Sequence, residues 1–181
     1  MEIKDRQTLS EYISEETKCY SGGGALLVTE GNVLRRHIIL LRKAEYHTNS
    51  GHRMRSMFYK FRLFKLQNRY GLHIPLNTCE RGLNIAHLGP IIINHKARIG
   101  KNCRIHVGVN IGAGSDGEAP QIGDNCYIGP GAKIFNGIKI ADNCQIGANA
   151  VVNKSCEIKG SILVGVPAKK VEVSRKEQNN D

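Results

Sequence analysis

An aliphatic residue recurs at every sixth position through the second half of this chain, and this period constrains the fold more than any other feature. The first run is Ile99, Ile105 and Ile111; the second is Ile122, Ile128, Ile134, Ile140, Ile146, Val152, Ile158 and Val164. The gap between the runs is one repeat unit of six residues, here called a hexad, plus five inserted residues. An α-helix repeats every 3.6 residues or so and a strand about every two, so neither explains the pattern.

Asn or Gly stands three places after the aliphatic residue in most hexads. These positions are Asn102, Gly108, Gly114, Asn125, Gly131, Gly137, Asn143 and Asn149, and only the last two hexads differ, with Ser155 and Ser161. Asn and Gly tolerate a positive φ better than other residues. Each hexad is therefore predicted to form one very short strand and one left-handed corner, with the aliphatic side chains stacked inward as ladders.

Four of the six cysteines also fall on one repeat position, at residues 103, 126, 144 and 156. This placement predicts small buried side chains rather than ligands or nucleophiles. The chain has no CxxC pair, which argues against a structural zinc site.

The repeats resemble the hexapeptide-repeat acyltransferase superfamily, in which three hexads make one triangular coil of a left-handed parallel β-helix. The resemblance covers residues 71–173 and implies a mainly β fold with an N-terminal α-helical cap. Residues 1–70 would form the cap, which is a basic helical region, and residues 174–181 a polar tail. The resemblance also implies a homotrimer, in which a neighbouring subunit completes the active-site cleft.

The N-terminal region shows helical patterns instead of hexads. Apolar and basic residues alternate in residues 54–66 as in an amphipathic basic helix, and Tyr12–Ile13 and residues 38–41 indicate two further helices. The run Ser21–Gly24 is expected to break the chain between them. The end of a β-helix exposes its core, so covering that end is the simplest role for these helices.

Positive charge concentrates in the same region. The chain carries a net charge of +10, and ten Lys or Arg residues lie between Arg35 and Arg69, where Glu45 is the only acid. No nucleic-acid recognition motif accompanies this charge, so nucleic acid is not an expected partner. Residues 35–69 are instead a candidate for peripheral contact with an anionic membrane.

The N-terminal sequence and the hydropathy of the chain bear on its expected cellular location. The charged start, Met1–Arg6, does not resemble a secretory signal, and no apolar stretch reaches the roughly 18 residues that a transmembrane helix needs. We therefore expect a cytoplasmic protein. A lipid-linked acceptor would bring it to the inner face of the membrane.

His87 interrupts the aliphatic series at a position in frame with residues 93 and 99. The surrounding segment, residues 82–89, resembles the serine acetyltransferase sequence G-x-x-x-D-H-x-x-G, whose His is the catalytic base, and this assigns the role of general base to His87. His106 lies nineteen residues further on, about one coil above and one place along, and is a secondary candidate. A backbone carbonyl or Glu80 is expected to orient the imidazole.

Three departures from the serine acetyltransferase pattern bear on the acceptor. Ala86 replaces the acid before the His, Leu72 replaces the acid that orients it, and Glu118–Pro120 replace the R-H-P trio that helps hold serine. A buried zwitterion without charged partners costs several kcal/mol, so the pocket is expected to be uncharged. The predicted acceptor is a neutral hydroxyl on a free or lipid-linked sugar, as in similar short proteins of capsule and exopolysaccharide biosynthesis.

Two alternatives remain open. One is serine O-acetylation for cysteine biosynthesis. The other is a non-catalytic scaffold or a carbonic-anhydrase-like protein, which would need three zinc-binding histidines at a subunit interface. His87, His95 and His106 do not match that spacing, so no metal is expected.

The resemblance further implies acetyl-CoA as co-substrate. Family matching places Ala148, Asn153 and Lys154 along the pantetheine and nucleotide. Residues 165–169 match the closing motif G-V-P-A-[KR], in which Lys169 would meet the CoA phosphates as a point charge.

Overall fold

The computed structural model describes residues 2–20 and 29–171. The predicted chain break at Ser21–Gly24 and the polar tail at 174–181 lie outside these residues. The helical part consists of α1 (Arg6–Thr17), a 3-10 helix (Lys18–Tyr20), α2 (Glu30–Asn49) and α3 (Arg53–Tyr70). Asp5 caps α1 by accepting a hydrogen bond from the Thr8 N–H at 2.8 Å, and Gly71 ends α3 in the left-handed conformation.

Short strands follow in three parallel stacks, which form a β-helix of about five turns. The first stack, sheet A, contains β1 (Leu72–His73), β3 (Ile91–Ile93), β6 (Asn110–Gly112), β9 (Lys133–Phe135) and β12 (Val151–Val152). Sheet B contains β4 (Arg98–Ile99), β7 (Gln121–Ile122) and β10 (Lys139–Ile140). Sheet C contains β2 (Asn84–Ile85), β5 (Arg104–Ile105), β8 (Tyr127–Ile128), β11 (Gln145–Ile146) and β13 (Ile162–Gly165), and β14 (Ala168–Val171) pairs antiparallel with β13.

The predicted aliphatic ladders form the core. Every repeat aliphatic from Ile99 to Val152 is buried, which confirms the period-six prediction over that range. The prediction is wrong for Ile158 and Val164, which are 58% and 38% exposed. A turn at 159–160 removes one residue from the last coil, so Leu163 becomes the inward residue and pairs with Ile146.

The predicted left-handed corners are confirmed at most positions. Positive φ occurs at Asn102, Gly108, Asn125, Gly131, Asn143 and Asn149. Gly114 and Gly137 do not adopt a positive φ. Instead Gly117, three residues after Gly114, and Asn136, directly before Gly137, adopt it. The five inserted residues cause the difference, because a Cβ on Gly137 would lie 2.7 Å from the Cβ of Glu118 in the inserted loop. Gly137 is needed there for close packing rather than for its φ.

The helices pack on the first coil as the cap prediction requires. Leu34 and Leu41 of α2 and Leu63 of α3 belong to the same buried cluster as Leu72 and Ile74 of the β-helix. Residues 54–66 do form a helix, within α3. No helix in the described part of the chain is long and apolar enough to cross a membrane.

A buried ion-pair network locks these helices to the β-helix. Arg42 of α2 donates two hydrogen bonds to Glu16 of α1, at 2.8 and 2.7 Å, and one to Glu45 at 2.8 Å. It also donates to the carbonyls of Cys79 and Glu80, both at 2.9 Å. Burial by itself would lower the pKa of Arg42, but the carboxylates of Glu45 and Glu16 hold it above its ordinary value. The network fixes α1 and α2 against the segment that leads into β2.

Candidate active site

The corner between sheets C and A carries His87. Strand pairing aligns Ile85, Ile105, Ile128 and Ile146 in successive coils, so the residues that follow them form a column at this corner. The N–H of Ala86 donates to Ile105 O at 2.9 Å, and the N–H of His106 donates to Ile128 O at 3.1 Å. His87 therefore lies one coil from His106 and one place along, as the spacing indicates.

Gly89 shapes the loop that presents His87. Its φ is +145°, and a Cβ there would lie 2.3 Å from Cγ2 of Val107 in the next coil. A side chain at this position would therefore collide with Val107 unless Val107 or the loop shifted. The close approach of the two coils thus fixes the backbone on which His87 stands.

A cavity of about 490 Å³ opens beside His87, between the β-helix and the helical region. Its walls combine the 3-10 helix, the start of α2 and strand β2. The lining residues are Cys19, Tyr20, Thr29, Glu30, Gly31, Leu34, Asn84, Ile85, Ala86, His87 and Arg104. Glu30 and Arg104 bring opposite charges into this cavity, so the expectation of an uncharged pocket is wrong.

Glu30 is the nearest charged partner of His87. Its Oε1 lies 3.4 Å from Nδ1 of His87 and accepts a hydrogen bond of 2.6 Å from the N–H of Leu88. Glu30 is the first residue of α2, and the preceding Thr29 caps that helix through the N–H of Asn32 at 3.3 Å. Sequence reasoning missed Glu30, because 57 residues separate it from His87 and no motif links them.

His106 lies close to His87, with 6.2 Å between the ring centroids, and its ring also contacts Tyr127 at 4.9 Å. Its Nε2 is buried and has no hydrogen-bond partner within the described residues. Burial, together with the charges of Arg104 and His87, lowers the pKa of His106. The neutral imidazole is therefore favoured.

Tyr20 closes the cavity on the side of the 3-10 helix. Its hydroxyl accepts a hydrogen bond from the N–H of Ile85 at 2.7 Å and donates one to the carbonyl of the same residue at 2.9 Å. Burial raises the pKa of Tyr20, so the hydroxyl stays protonated and keeps both bonds. The helical region is thereby attached directly to the strand that precedes His87.

The other candidates from the serine acetyltransferase comparison lie elsewhere. Glu80 lines a separate cavity with Arg42 and Arg98, and the carboxylate beside His87 is Glu30. Leu72 is fully buried in β1. Glu118 lies in the inserted loop at the corner between sheets A and B, away from the His87 cavity of the same chain.

The cofactor candidates occupy two corners. Ala148 follows β11 in the same corner column as His87, and Lys169 of β14 pairs with Val164 on the neighbouring strand. Asn153 and Lys154 follow β12, at the corner between sheets A and B. Ala148, Lys154 and Lys169 are all exposed, so none is committed to the core. In residues 2–20 and 29–171, no group of three or more His, Cys, Asp or Glu residues is placed to hold a metal ion.

Comparison with known proteins agrees with this architecture. The family model of bacterial transferase hexapeptides (six repeats) matches residues 119–158. The structure of serine acetyltransferase from Neisseria gonorrhoeae matches with a TM-score of 0.67 and 26% identity, over 97% of this chain and 72% of that one. The soybean and Brucella abortus serine acetyltransferases each match with a TM-score of 0.69, at 20% and 22% identity, over 92% of this chain and 70% of theirs. No curated protein matches at the level of sequence.

The coil geometry defines a left-handed parallel β-helix built from hexapeptide repeats, the fold of the matched acetyltransferase structures. Within that class, the matches fit the hexapeptide-repeat acyltransferases, in the branch that resembles serine acetyltransferases, and they support an acyltransferase.

Proposed function

We propose that this chain is an acetyl-CoA-dependent O-acetyltransferase in which His87 is the general base. The observation that carries the proposal is the position of His87, at a corner of the β-helix, beside an open cavity and with Nδ1 directed at a carboxylate. An imidazole titrates near neutral pH, so it can take a proton from an acceptor hydroxyl under ordinary conditions.

The transfer needs no covalent enzyme intermediate. With Nδ1 facing Glu30, Nε2 of His87 is the ring nitrogen that accepts the hydroxyl proton. Acetyl-CoA supplies an activated acyl carbon, which the hydroxyl oxygen attacks as the new C–O bond forms. The thioester C–S bond then breaks, and the proton held on His87 passes to the departing sulfur. Backbone N–H groups at the same corner are the candidates for stabilising the oxyanion.

Glu30 acts in this scheme as a positioning residue. Its Oε1 holds the Leu88 N–H at 2.6 Å, so it fixes the His87 loop as well as facing the ring. A negative charge at that distance also stabilises the imidazolium that forms when the base takes its proton. Glu30 thus takes the place of the acid that the serine acetyltransferase pattern would put at Leu72.

Acetyl-CoA would lie along the corner column that runs from His87 to Ala148. Gly129 and Gly147 let successive coils stack closely along this column, because a Cβ on either would lie less than 3 Å from the next coil. Lys169 is exposed near the far end and supplies a positive charge for phosphate. Lys154 and Asn153 would reach the nucleotide end only from the neighbouring corner.

A sugar hydroxyl in capsule or exopolysaccharide biosynthesis is the proposed acceptor. Ala86 and Leu72 lack the carboxylates of the serine acetyltransferase pattern, and Glu30 is already engaged with Leu88 and His87. If the sugar is lipid-linked, the reaction takes place at the inner face of the membrane, where residues 35–69 would contact the lipid surface.

Serine is the second candidate acceptor, and one feature of the cavity favours it. Arg104 and Glu30 line the same cavity with opposite charges, which are the charges that a zwitterion would need. The solved structures named above are also those of serine acetyltransferases.

A thiol-release assay with His87→Ala tests the proposal and separates the two acceptors. We expect the substitution to lower transfer by about 100-fold or more while CoA affinity, measured by calorimetry, stays the same. His95→Ala is the matched control, since His95 is exposed at another corner. Saturation with free sugars or nucleotide sugars but not with L-serine supports the sugar acceptor, whereas saturation with serine at submillimolar concentration overturns it. Turnover of His87→Ala at the unmodified rate would refute the site itself.

A further inference from the structure

One face of α3 presents large apolar side chains to solvent. Met54, Met57, Phe58, Phe61 and Phe64 are spaced by three and four residues and are between 52% and 77% exposed. This spacing places them in a single stripe along the helix. The stripe is called here the α3 outer face.

The α3 outer face lies opposite the side of the helix that packs on the core. The opposite side of α3 already carries the packing residues, with Leu63 buried at 4% exposure and Leu66 and Tyr70 packed on the same cluster. The helix therefore has two apolar faces, and only one of them packs on the rest of the described chain. A stripe of this kind marks an interaction surface.

Positive charge surrounds the α3 outer face on both flanks. The helix contains six basic residues and no acid: Arg53, Arg55, Lys60, Arg62, Lys65 and Arg69. Arg62 lies over the ring of Phe58 at 5.5 Å, and Lys65 lies over the ring of Phe61 at 4.7 Å, so these cations border the aromatic stripe directly. Arg36 of α2 joins Arg62, Lys65 and Arg69 around a small cavity of about 210 Å³ beside them.

From this arrangement we infer that α3 is an interfacial helix that inserts its outer face into the surface of an anionic membrane. Phenylalanine and methionine side chains would enter the boundary between headgroups and acyl chains, while the flanking Lys and Arg side chains bind lipid phosphates. The charge pattern selects this occupant over a second copy of the chain. Two copies of α3 would bring twelve cations together without one carboxylate from either helix.

The inference does not depend on which acceptor the enzyme uses. It agrees with a lipid-linked acceptor, but the α3 outer face and the His87 cavity share no residue. Membrane binding and acetyl transfer are therefore measurable separately, and either result stands if the other fails.

Co-sedimentation of the full chain with vesicles tests the inference. We expect binding to vesicles made of equal parts phosphatidylglycerol and phosphatidylcholine, and at least about tenfold weaker binding to phosphatidylcholine alone. High salt should weaken the binding to anionic vesicles, because it screens the Lys and Arg charges.

Two variants assign this binding to α3. Lys60→Glu/Lys65→Glu is expected to weaken it by about tenfold or more, whereas the matched pair Lys101→Glu/Lys139→Glu on the β-helix changes it little. Phe61→Ser/Phe64→Ser should weaken it as well, whereas Ile158→Ser, an equally exposed residue far from α3, should not. Unchanged melting temperatures establish that the variants are folded.

Two results would overturn the inference. The first is equal binding of the unmodified chain to neutral and anionic vesicles, or no binding to either. The second is a loss of oligomer mass in Phe61→Ser/Phe64→Ser without vesicles present, which would make the α3 outer face a contact between subunits.

Discussion

The distance that matters most at His87 joins its Nδ1 to a carboxylate from a different structural element. Glu30 begins α2, and the 3.4 Å separation from the ring exists only because the helical region is docked on the first coil. The proposed base therefore belongs to the β-helix, and the carboxylate that faces it belongs to the cap. Activity should depend on both parts of the chain.

Glu30→Gln tests this dependence directly. We expect kcat to fall by roughly 10- to 100-fold with little change in CoA affinity, because the ring loses the group that orients it. Glu157→Gln, at an exposed position on the last coil, is the control.

A purely structural role for Glu30 would give a different pattern. The glutamine oxygen can still accept the Leu88 N–H, so the variant would then keep both its melting temperature and most of its activity. Glu30→Asp, which keeps the charge, should recover part of the activity only if the charge itself matters.

Sequence predicts His87 but not its surroundings, for a physical reason. The hexad period exposes His87 as the residue that departs from an aliphatic series, and the resemblance to serine acetyltransferases supplies its role. Glu30, Tyr20 and Arg104 approach the cavity through tertiary packing, and helix patterns in a single sequence do not say where a helix docks. The sequence therefore does not predict that Glu30 and Arg104 bring charges into the cavity.

Helix α2 carries three buried basic residues, His37, Arg42 and His47, and the first two differ in their charged partners. Arg42 keeps its charge because Glu16 and Glu45 both bind its guanidinium. His37 lies on the same helix without a carboxylate partner, and its Nδ1 has no hydrogen-bond partner among the described side chains and backbone groups. Burial, reinforced by the charge of Arg42, lowers the pKa of His37 to about 3.

This low pKa predicts acid sensitivity. Between about pH 6.5 and pH 3 the unfolded chain binds a proton on His37 that the folded chain excludes, so the free energy of unfolding falls as the pH falls. The slope is at most about 1.4 kcal/mol per pH unit for this one group. Urea unfolding at pH 7 and pH 5 should show a loss of up to about 2 kcal/mol that His37→Leu abolishes.

His73→Leu, at an exposed position in β1, is the control and should keep the full pH dependence. Parallel losses of stability in the unmodified chain and in His37→Leu would mean that other groups dominate.

At this scale the sequence predicts the elements well, since the hexads mark the strands and corners. The sequence prediction fails in the last coil, where a turn shortens the repeat by one residue. The aliphatic series itself continues without a break there, so it does not indicate the change.

The β-helix leaves the corner that carries His87 open when a single chain is considered. The side chain of His87 is 60% exposed, and strand β3 presents Ile92 to solvent at 47% exposure in the middle of a flat sheet. The exposure of Ile92 and of His87 fits the proposed trimer, in which a neighbouring subunit would complete the cleft.

Light scattering tests the assembly. We expect a mass of three 20.0 kDa chains at micromolar concentration. Ile92→Glu should shift the mass towards the monomer and lower kcat, because it places a charge in the subunit contact. Ile158→Glu, a control at the exposed end of the β-helix, should leave the mass unchanged, and a monomeric unmodified chain would contradict the trimer.

The hydroxyl of Tyr20 has a consequence for solubility. Strand β2 is the edge of sheet C, and the N–H and carbonyl of Ile85 point away from the neighbouring strand β5. These are the groups through which a foreign strand would pair, and the Tyr20 hydroxyl satisfies both of them. Together with the helices that pack on the first coil, the Tyr20 hydroxyl leaves no free backbone group at Ile85 for a foreign strand to pair with.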